Sequence, residues 1–254
     1  AAGFVGFSIG SDTTGSILGP SRTCGISGLR PTFGRISRHG VMPVCWSLDK
    51  VGPMCRSVED CAIVFQSIHG PDNQDLSLVD MPFNWNGNKN LKELRIGYIE
   101  EAFNENTHPN DMETLECLRR MGAELQPIRL PKHAGMDALQ MLLVDEAAAF
   151  DELIQTGKVD LFLQDRVEPE DMLMRIARLM PAVEYLQIQR LRMLMMQGME
   201  RALRNIDVYI APHEGNTNTT TTALTGHPGI SVPNGFDKNG KPTGILFVGK
   251  GRAG

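Results

Sequence analysis

The stretch GFSIGSDTTGSILGP, residues 6 to 20, carries three serines, Ser8, Ser11 and Ser16. A serine hydroxyl attacks an acyl carbon only if a base takes its proton and hydrogen-bond donors stabilise the oxyanion that forms. Ser8 lies in Gly6-Phe7-Ser8-Ile9-Gly10, which matches the G-x-S-x-G nucleophile elbow. That elbow needs a full strand before the serine, a sharp turn at it and a helix directly after. Only five residues precede Gly6, and Ser8 sits inside the apolar run of Phe4, Phe7 and Ile9. Ser8 therefore reads as a strand residue and Ser11 as part of a polar turn. Ser16 follows Thr13, Thr14 and Gly15, whose backbone N–H groups can converge in a tight turn, and a helix N-terminus after it adds partial positive charge. These residues form a candidate oxyanion hole, with Ser16 the candidate nucleophile. The same pattern also describes an ordinary serine N-cap.

The elements around this stretch alternate in type. Residues 4 to 9 read as a short strand, SDTTG as a turn, and the segment from Ser16 as a helix capped by that serine and closed by Gly25. Residues 26 to 56, rich in Gly and Pro, read as a long loop region. SVEDCAIVFQSIHGPD reads as a helix, with Ser57 as its cap, Asp60 at the capping-box position, and Gly70 and Pro71 as its stop. LRIGYI (94–99) reads as a buried strand. A helix over 110–121 follows, with Met112, Leu115, Leu118 and Met121 on one face, and then a strand near ELQPIRL. Residues 134–155 and 171–205 read as long helices, the second interrupted at Pro181 and rich in methionine, while Thr219 to Thr222 read as a polar loop. Strands return at 207–212, 229–233 and 243–249, with Asn239-Gly240 offering a turn between the last two. This order describes an α/β fold, a β-sheet covered by helices, with no domain boundary.

Composition narrows the function classes. The net charge of −5 gives no overall basic excess for nucleic acid, and no apolar run approaches the roughly 20 residues needed to span a membrane. Residues 1 to 56 do hold Arg22, Arg30, Arg35, Arg38, Lys50 and Arg56 against Asp12 and Asp49, which reads as a framework tying loops together. Five scattered cysteines without a Cys-x-x-Cys pair read as reduced, buried thiols in a cytoplasmic protein. The six histidines show no ligand spacing, so neither a metal site nor a cofactor is expected. His213 and His227 read as solvated-loop or N–H-bonded histidines rather than substrate contacts. The chain starts without Met and stops at GRAG, so both ends read as cut.

The segment from Gly10 to Ala62 resembles the nucleophile region of the amidase signature family. The likeness runs through Asp12, Gly15-Ser16-Ile17, Pro20, Cys24-Gly25, Gly28-Leu29, Pro31-Thr32, Gly34-Arg35, Ser37, Gly40, Ser47-Leu48-Asp49, Gly52-Pro53 and Arg56 to Asp60. DVYIAP and the stretch from Leu224 to Lys250 resemble the same family. The resemblance implies a mixed sheet flanked by helices, incomplete here, with residues 1–254 forming the central and C-terminal part of a single amidase-like domain. It implies a Ser–Ser–Lys amidohydrolase in which Ser16 attacks a small-molecule amide and Thr13, Thr14 and Gly15 hold the oxyanion. The relay serine and the lysine belong upstream of Ala1, and the chain alone is expected to be inactive. His39 and Lys50 are the nearest internal alternatives as base, and nothing in their spacing places them beside Ser16. Two positions depart from the family pattern: Thr14 replaces Gly or Ala, and Leu18 replaces Arg beside the site. The alternatives are the A subunit of a glutamine-dependent aminoacyl-tRNA amidotransferase, which meets nucleic acid through partner subunits, and a catalytically inactive fragment. A homodimer stays open.

Overall fold

The structure is a computed structural model that describes residues 2–104, 107–131, 137–161, 170–213 and 218–251. Strand β1 (Phe7–Asp12) runs further than the sequence suggests, so Ser11 and Asp12 belong to the strand and not to the turn. Helix α1 (Leu18–Cys24) begins one residue later than expected, with Ile17 at its N-cap and no side-chain cap from Ser16. Gly25 closes it at φ 64°, the left-handed conformation that a residue without Cβ adopts freely.

The supposed loop over residues 26–56 contains two strands, β2 (Ser27–Arg30) and β3 (Lys50–Cys55). Gly28, Gly52 and Pro53 hide them, because these residue types are depleted in strands. The glycines are there for packing: a Cβ on Gly28 would lie 1.9 Å from Ser21 Oγ, and one on Gly52 would lie 2.1 Å from the Leu29 carbonyl oxygen. Helix α2 (Val58–Ile68) is capped as its sequence indicates, the Ser57 hydroxyl accepting from Asp60 N–H at 3.0 Å. It buries Cys61, Ala62 and Phe65.

Strand β4 (Ile96–Ile99), helix α3 (Pro109–Arg120) and strand β5 (Leu125–Ile128) follow in the expected order. The buried face of α3 is rotated from the expected one: Leu115 is buried with Asp111, while Met112 and Met121 are exposed. Asp111 turns inward because its carboxylate accepts from Asn234 Nδ2 at 2.7 Å. The helical stretch over 134–155 divides at Phe150 into α4 (Asp137–Ala149) and α5 (Asp151–Gln155), its first residues lying outside the described ones. Helices α6 (Glu170–Ala177) and α7 (Ala182–Ala202) separate at Pro181, as that residue demands. Of the methionines there, Met174, Met195 and Met199 are buried, whereas Met172, Met193 and Met196 are exposed.

Strand β6 (Val208–Pro212) leads toward helix α8 (Asn218–Leu224), where the sequence suggests a loop. Four consecutive threonines are poor helix formers. Burial and local bonds override that preference: Thr222 Oγ1 donates to the Asn218 carbonyl at 2.8 Å, and Thr225 Oγ1 to the Thr221 carbonyl at 2.8 Å. Strands β7 (Gly229–Phe236) and β8 (Pro242–Gly249) form a hairpin around Asn239-Gly240, where Asp237 Oδ1 accepts from Asn239 and Lys241 N–H.

The eight strands form one sheet in the order β1-β3-β2-β7-β8-β6-β4-β5. Strand β4 is parallel to β5 and β6, and every other pairing is antiparallel, so the sheet is mixed. Period-two alternation feeds two cores. Tyr209, Ala211, Leu246 and Val248 pack with Leu18, Met199 and Leu203 on one face, and Ile210 and Ile245 pack with Leu115 on the other. Among the described residues no helix is long and apolar enough to cross a membrane. All five cysteines are free thiols, but Cys24 and Cys117 are exposed, contrary to the expectation of uniform burial. Each sits on a helix, Cys24 at the end of α1 and Cys117 on the solvent side of α3.

Candidate active site

The loop that carries Ser16 is anchored by the last residue of β1. Asp12 is fully buried, and its Oδ2 accepts from Ile17 N–H at 2.8 Å and Leu18 N–H at 3.4 Å. This carboxylate does the capping that the sequence suggests for the Ser16 hydroxyl. Asp12 Oδ1 meets Arg30 Nη1 at 3.4 Å, and Arg30, also fully buried, reaches Thr222 Oγ1 and the Thr219 carbonyl. One ion pair thus joins β1, α1, β2 and α8.

Thr13 is held from two sides. Its hydroxyl donates to Asp49 Oδ1 at 2.7 Å, and its carbonyl accepts from Lys50 Nζ at 3.2 Å. Asp49 Oδ2 accepts from the backbone of Val44 and Cys45 at 2.8 and 2.9 Å, while Lys50 Nζ also donates to the Ala223 carbonyl at 3.4 Å. Burial and the neighbouring Arg30 push the Lys50 pKa down to about 7, against the opposite pull of Asp12 and Asp49. The Gly15 carbonyl accepts from Gly19 N–H at 2.8 Å. Gly15 carries the unusual backbone of this turn, at φ 158°; Thr14 has a negative φ and its β-branched side chain is accommodated.

Ser16 stands exposed at the end of this clamped loop, next to the fully buried Ile17 and Leu18. Among the described residues none bonds the Ser16 hydroxyl, and none accepts from the N–H groups of Thr14, Gly15 or Ser16. A hydroxyl without a described partner thus stands beside N–H groups without a described acceptor, two of the features that acyl transfer requires, the third being a base. Leu18 does not face the site: it is packed among Met199, Tyr209 and Leu246. Ser8 and Ser11 lie on β1, at the outer edge of the sheet, opposite Met54 and Val51 of β3. His39 lies on an exposed loop and makes no contact with Ser16.

Of the basic residues near the start, Arg30, Arg35, Arg38 and Lys50 tie separate segments together, while Arg56 is exposed. Arg38 pairs with Asp75 at 3.1 Å, and Arg35 donates to the Met81 carbonyl at 2.9 Å and lies over the Phe65 ring. A second polar cluster holds the Ser47-Leu48-Asp49 turn from the helical layer. Asp145 of α4 accepts from Ser47 Oγ at 2.8 Å, Cys45 Sγ at 2.9 Å and Tyr185 Oη at 2.8 Å. Burial and Asp145 push the Cys45 thiol up to about 12, which keeps it a protonated donor. This cluster has no sequence signature, since its members come from three distant segments. Asp12 and Lys50 were visible only as a motif position and an unplaced base.

His213 and His227 are both hydrogen-bonded and not solvated, His227 being buried and His213 half-buried. His213 Nε2 pairs with Ser231 Oγ at 2.9 Å and His227 Nδ1 with Thr225 Oγ1 at 2.8 Å. Burial pushes both pKa values down to about 4. The unfolded rings protonate near pH 6.5, so the unfolded state binds more protons between there and about pH 4. Their contribution to stability is complete above about pH 6.5 and is lost as the pH falls toward 4. His227→Gln is expected to flatten the acid-side decline in melting temperature over this window; a decline as steep as the parent's would contradict it. Among the described residues no group of His, Cys, Asp and Glu side chains is arranged to hold a metal ion.

The glutamyl-tRNA(Gln) amidotransferase A subunit of Staphylococcus haemolyticus is 31% identical over 98% of this chain and 61% of its own length. The protein of the same name from Nostoc sp. is 32% identical over 95% of this chain and 60% of its own. The chain thus spans about 61% of the length of the curated relatives it matches. Among solved structures, the native peptide amidase of Stenotrophomonas maltophilia superposes with a TM-score of 0.79 at 27% identity, over 97% of this chain and 59% of that one. The glutamyl-tRNA(Gln) amidotransferase A subunit of Thermotoga maritima shares the fold at a TM-score of 0.74 and 23% identity, over 97% of this chain and 59% of that one. The family model described as Amidase matches residues 1–253, so the mixed sheet, the buried Asp12 anchor and the open Ser16 loop are those of a chain that belongs to the amidase family.

Proposed function

We propose that this chain is the nucleophile-bearing, central and C-terminal part of an amidase that hydrolyses a carboxamide to an acid plus ammonia or an amine. The observation that carries this reading is the exposed Ser16 hydroxyl, which no described residue bonds, beside the N–H groups of Thr14, Gly15 and Ser16, from which no described residue accepts, on a loop clamped by Asp12, Asp49 and Lys50. Ser16 Oγ attacks the amide carbon, and the carbonyl oxygen becomes an oxyanion held by backbone N–H groups around Thr13, Thr14 and Gly15. Collapse of this intermediate expels the amine, and water then releases the acid from the acyl-enzyme. The scheme uses no cofactor.

A serine nucleophile needs a proton acceptor, and among the described residues none bonds Ser16. The relay serine and neutral lysine of the family's triad are assigned to sequence outside this chain. On this reading the chain by itself hydrolyses simple amides no faster than its Ser16→Ala variant. In the full-length gene product a fluorophosphonate probe is expected to label Ser16 and to leave Ser16→Ala unlabelled. Equal labelling of the two proteins would sink the assignment.

A second reading is supported by the curated relatives, which are amidotransferase A subunits with 31 and 32% identity. There the same acyl-enzyme forms from glutamine, and the ammonia passes to a partner. Co-purification of partner subunits, with glutaminase activity stimulated by charged tRNA, selects this reading. Turnover of small amides by the isolated protein selects the free-standing amidase.

A further inference from the structure

Lys50 is a titratable residue almost wholly enclosed in the protein, at 2% exposure, and the reaction scheme above gives it no part beyond clamping the Ser16 loop. It opens β3 directly opposite Asp12, the residue that ends β1, so the register of that antiparallel pair places its side chain beneath the Ser16 loop. Its Nζ bridges two backbone carbonyls from separate parts of the chain, Thr13 at 3.2 Å and Ala223 of α8 at 3.4 Å. An amine needs two N–H donors for two carbonyls, and it has them whether charged or neutral. Burying a lysine here is costly unless the position uses what the amine supplies.

What it supplies follows from peptide geometry. Among the described residues every peptide bond is trans, so the carbonyl of Thr13 and the N–H of Thr14, which share one peptide plane, point in opposite directions. Drawing the Thr13 oxygen down onto Lys50 turns the Thr14 N–H away from the sheet, and no described residue accepts from it. The Thr13 hydroxyl bond to Asp49 fixes the Thr13 Cα, the end of this plane that carries the carbonyl. Asp12, Asp49, Arg30 and Arg192 surround the amine with charges of both signs, and burial with Arg30 and Arg192 outweighs the two carboxylates, lowering its pKa to about 7.

We propose that Lys50 is a positioning residue for hydrolysis at Ser16: by holding the Thr13 carbonyl it orients the Thr14 N–H as an oxyanion donor. This inference rests on the amidase reading, and it assigns to Lys50 no proton transfer from Ser16. The interaction it sets up matters most when the carbonyl oxygen becomes negative, so its loss falls on kcat rather than on KM.

The test compares Lys50→Met, which keeps the length and loses the donor, with Lys50→Gln, which keeps a donor, both in the full-length gene product with a simple carboxamide. Lys50→Met is expected to lower kcat about tenfold or more with KM within about twofold. It should weaken a peptide aldehyde, which forms a tetrahedral adduct with Ser16, by a similar factor while an unreactive amide ligand binds as before. Lys50→Gln should recover most of the loss. If Lys50→Met does not fold, Lys50→Thr, too short to reach the Thr13 oxygen, takes its place beside Lys50→Gln. A kcat within about twofold of the parent, or equal losses for aldehyde and unreactive ligand, overturns the role of Lys50 alone. Undiminished turnover in Ser16→Ala removes the amidase reading and this inference together.

Discussion

Ser16→Ala in the full-length gene product is expected to lower kcat/KM for a simple carboxamide by about a thousandfold or more while leaving the melting temperature nearly unchanged. The two halves of this expectation come from the same observation. Ser16 is exposed, and no described residue bonds its hydroxyl, so removing Oγ opens no cavity and orphans no buried partner. The nucleophile is nevertheless the one atom that acyl-enzyme formation cannot do without, and residual turnover after its loss comes only from binding and oxyanion stabilisation. Steady-state kinetics and a thermal melt on both proteins decide the matter. A large fall in melting temperature would mean that Ser16 is structural, and a small fall in kcat/KM would place the nucleophile elsewhere.

Asp12→Ala is expected to do the reverse, costing about 3–5 kcal/mol of stability before any effect on chemistry is considered. Asp12 and Arg30 are both completely buried, and removing the carboxylate leaves the guanidinium without its charge partner. It also frees the N–H groups of Ile17 and Leu18, which Asp12 Oδ2 alone takes up at the start of α1. Asp12→Asn, which keeps a carbonyl acceptor and loses the charge, should fall between the parent and the alanine variant. Urea unfolding of the three proteins measures the series. A loss below about 1 kcal/mol for Asp12→Ala would show that solvent reaches Arg30 and that the network is not sealed.

The two variants separate what the linear order of residues reveals from what it hides. Periodicity and end signals located α2, α3, α7 and the strands β4 to β8, because caps, stops and apolar spacing act over a few residues. The serine cap of α2 was legible for the same reason: Ser57 and Asp60 are three positions apart and bond directly. Strands β2 and β3 were hidden because their glycines answer to packing partners, Ser21 and Leu29, that no local rule connects to them. Helix α8 was hidden because threonine's weak helix preference was overruled by burial and by Arg30, which lies far away in sequence.

The candidate site divides along the same line. The run Thr13 to Ser16 offers N–H groups beside a serine, but it also describes an ordinary N-cap, and it is the resemblance of the longer segment to the amidase signature that singles out Ser16 over Ser8 and Ser11. The contacts of Asp12 and Lys50 with the Ser16 loop emerge only once β1 and β3 pair in antiparallel register, which puts these two residues opposite one another. Asp145, Tyr185 and Cys45 meet only because α4 and α7 pack over the Ser47 turn. Local order specifies which groups point outward at a turn, since backbone geometry propagates over a handful of residues. Which buried charges hold that turn in shape is decided by long-range packing, because a buried charge is stable only where distant segments bring it a partner.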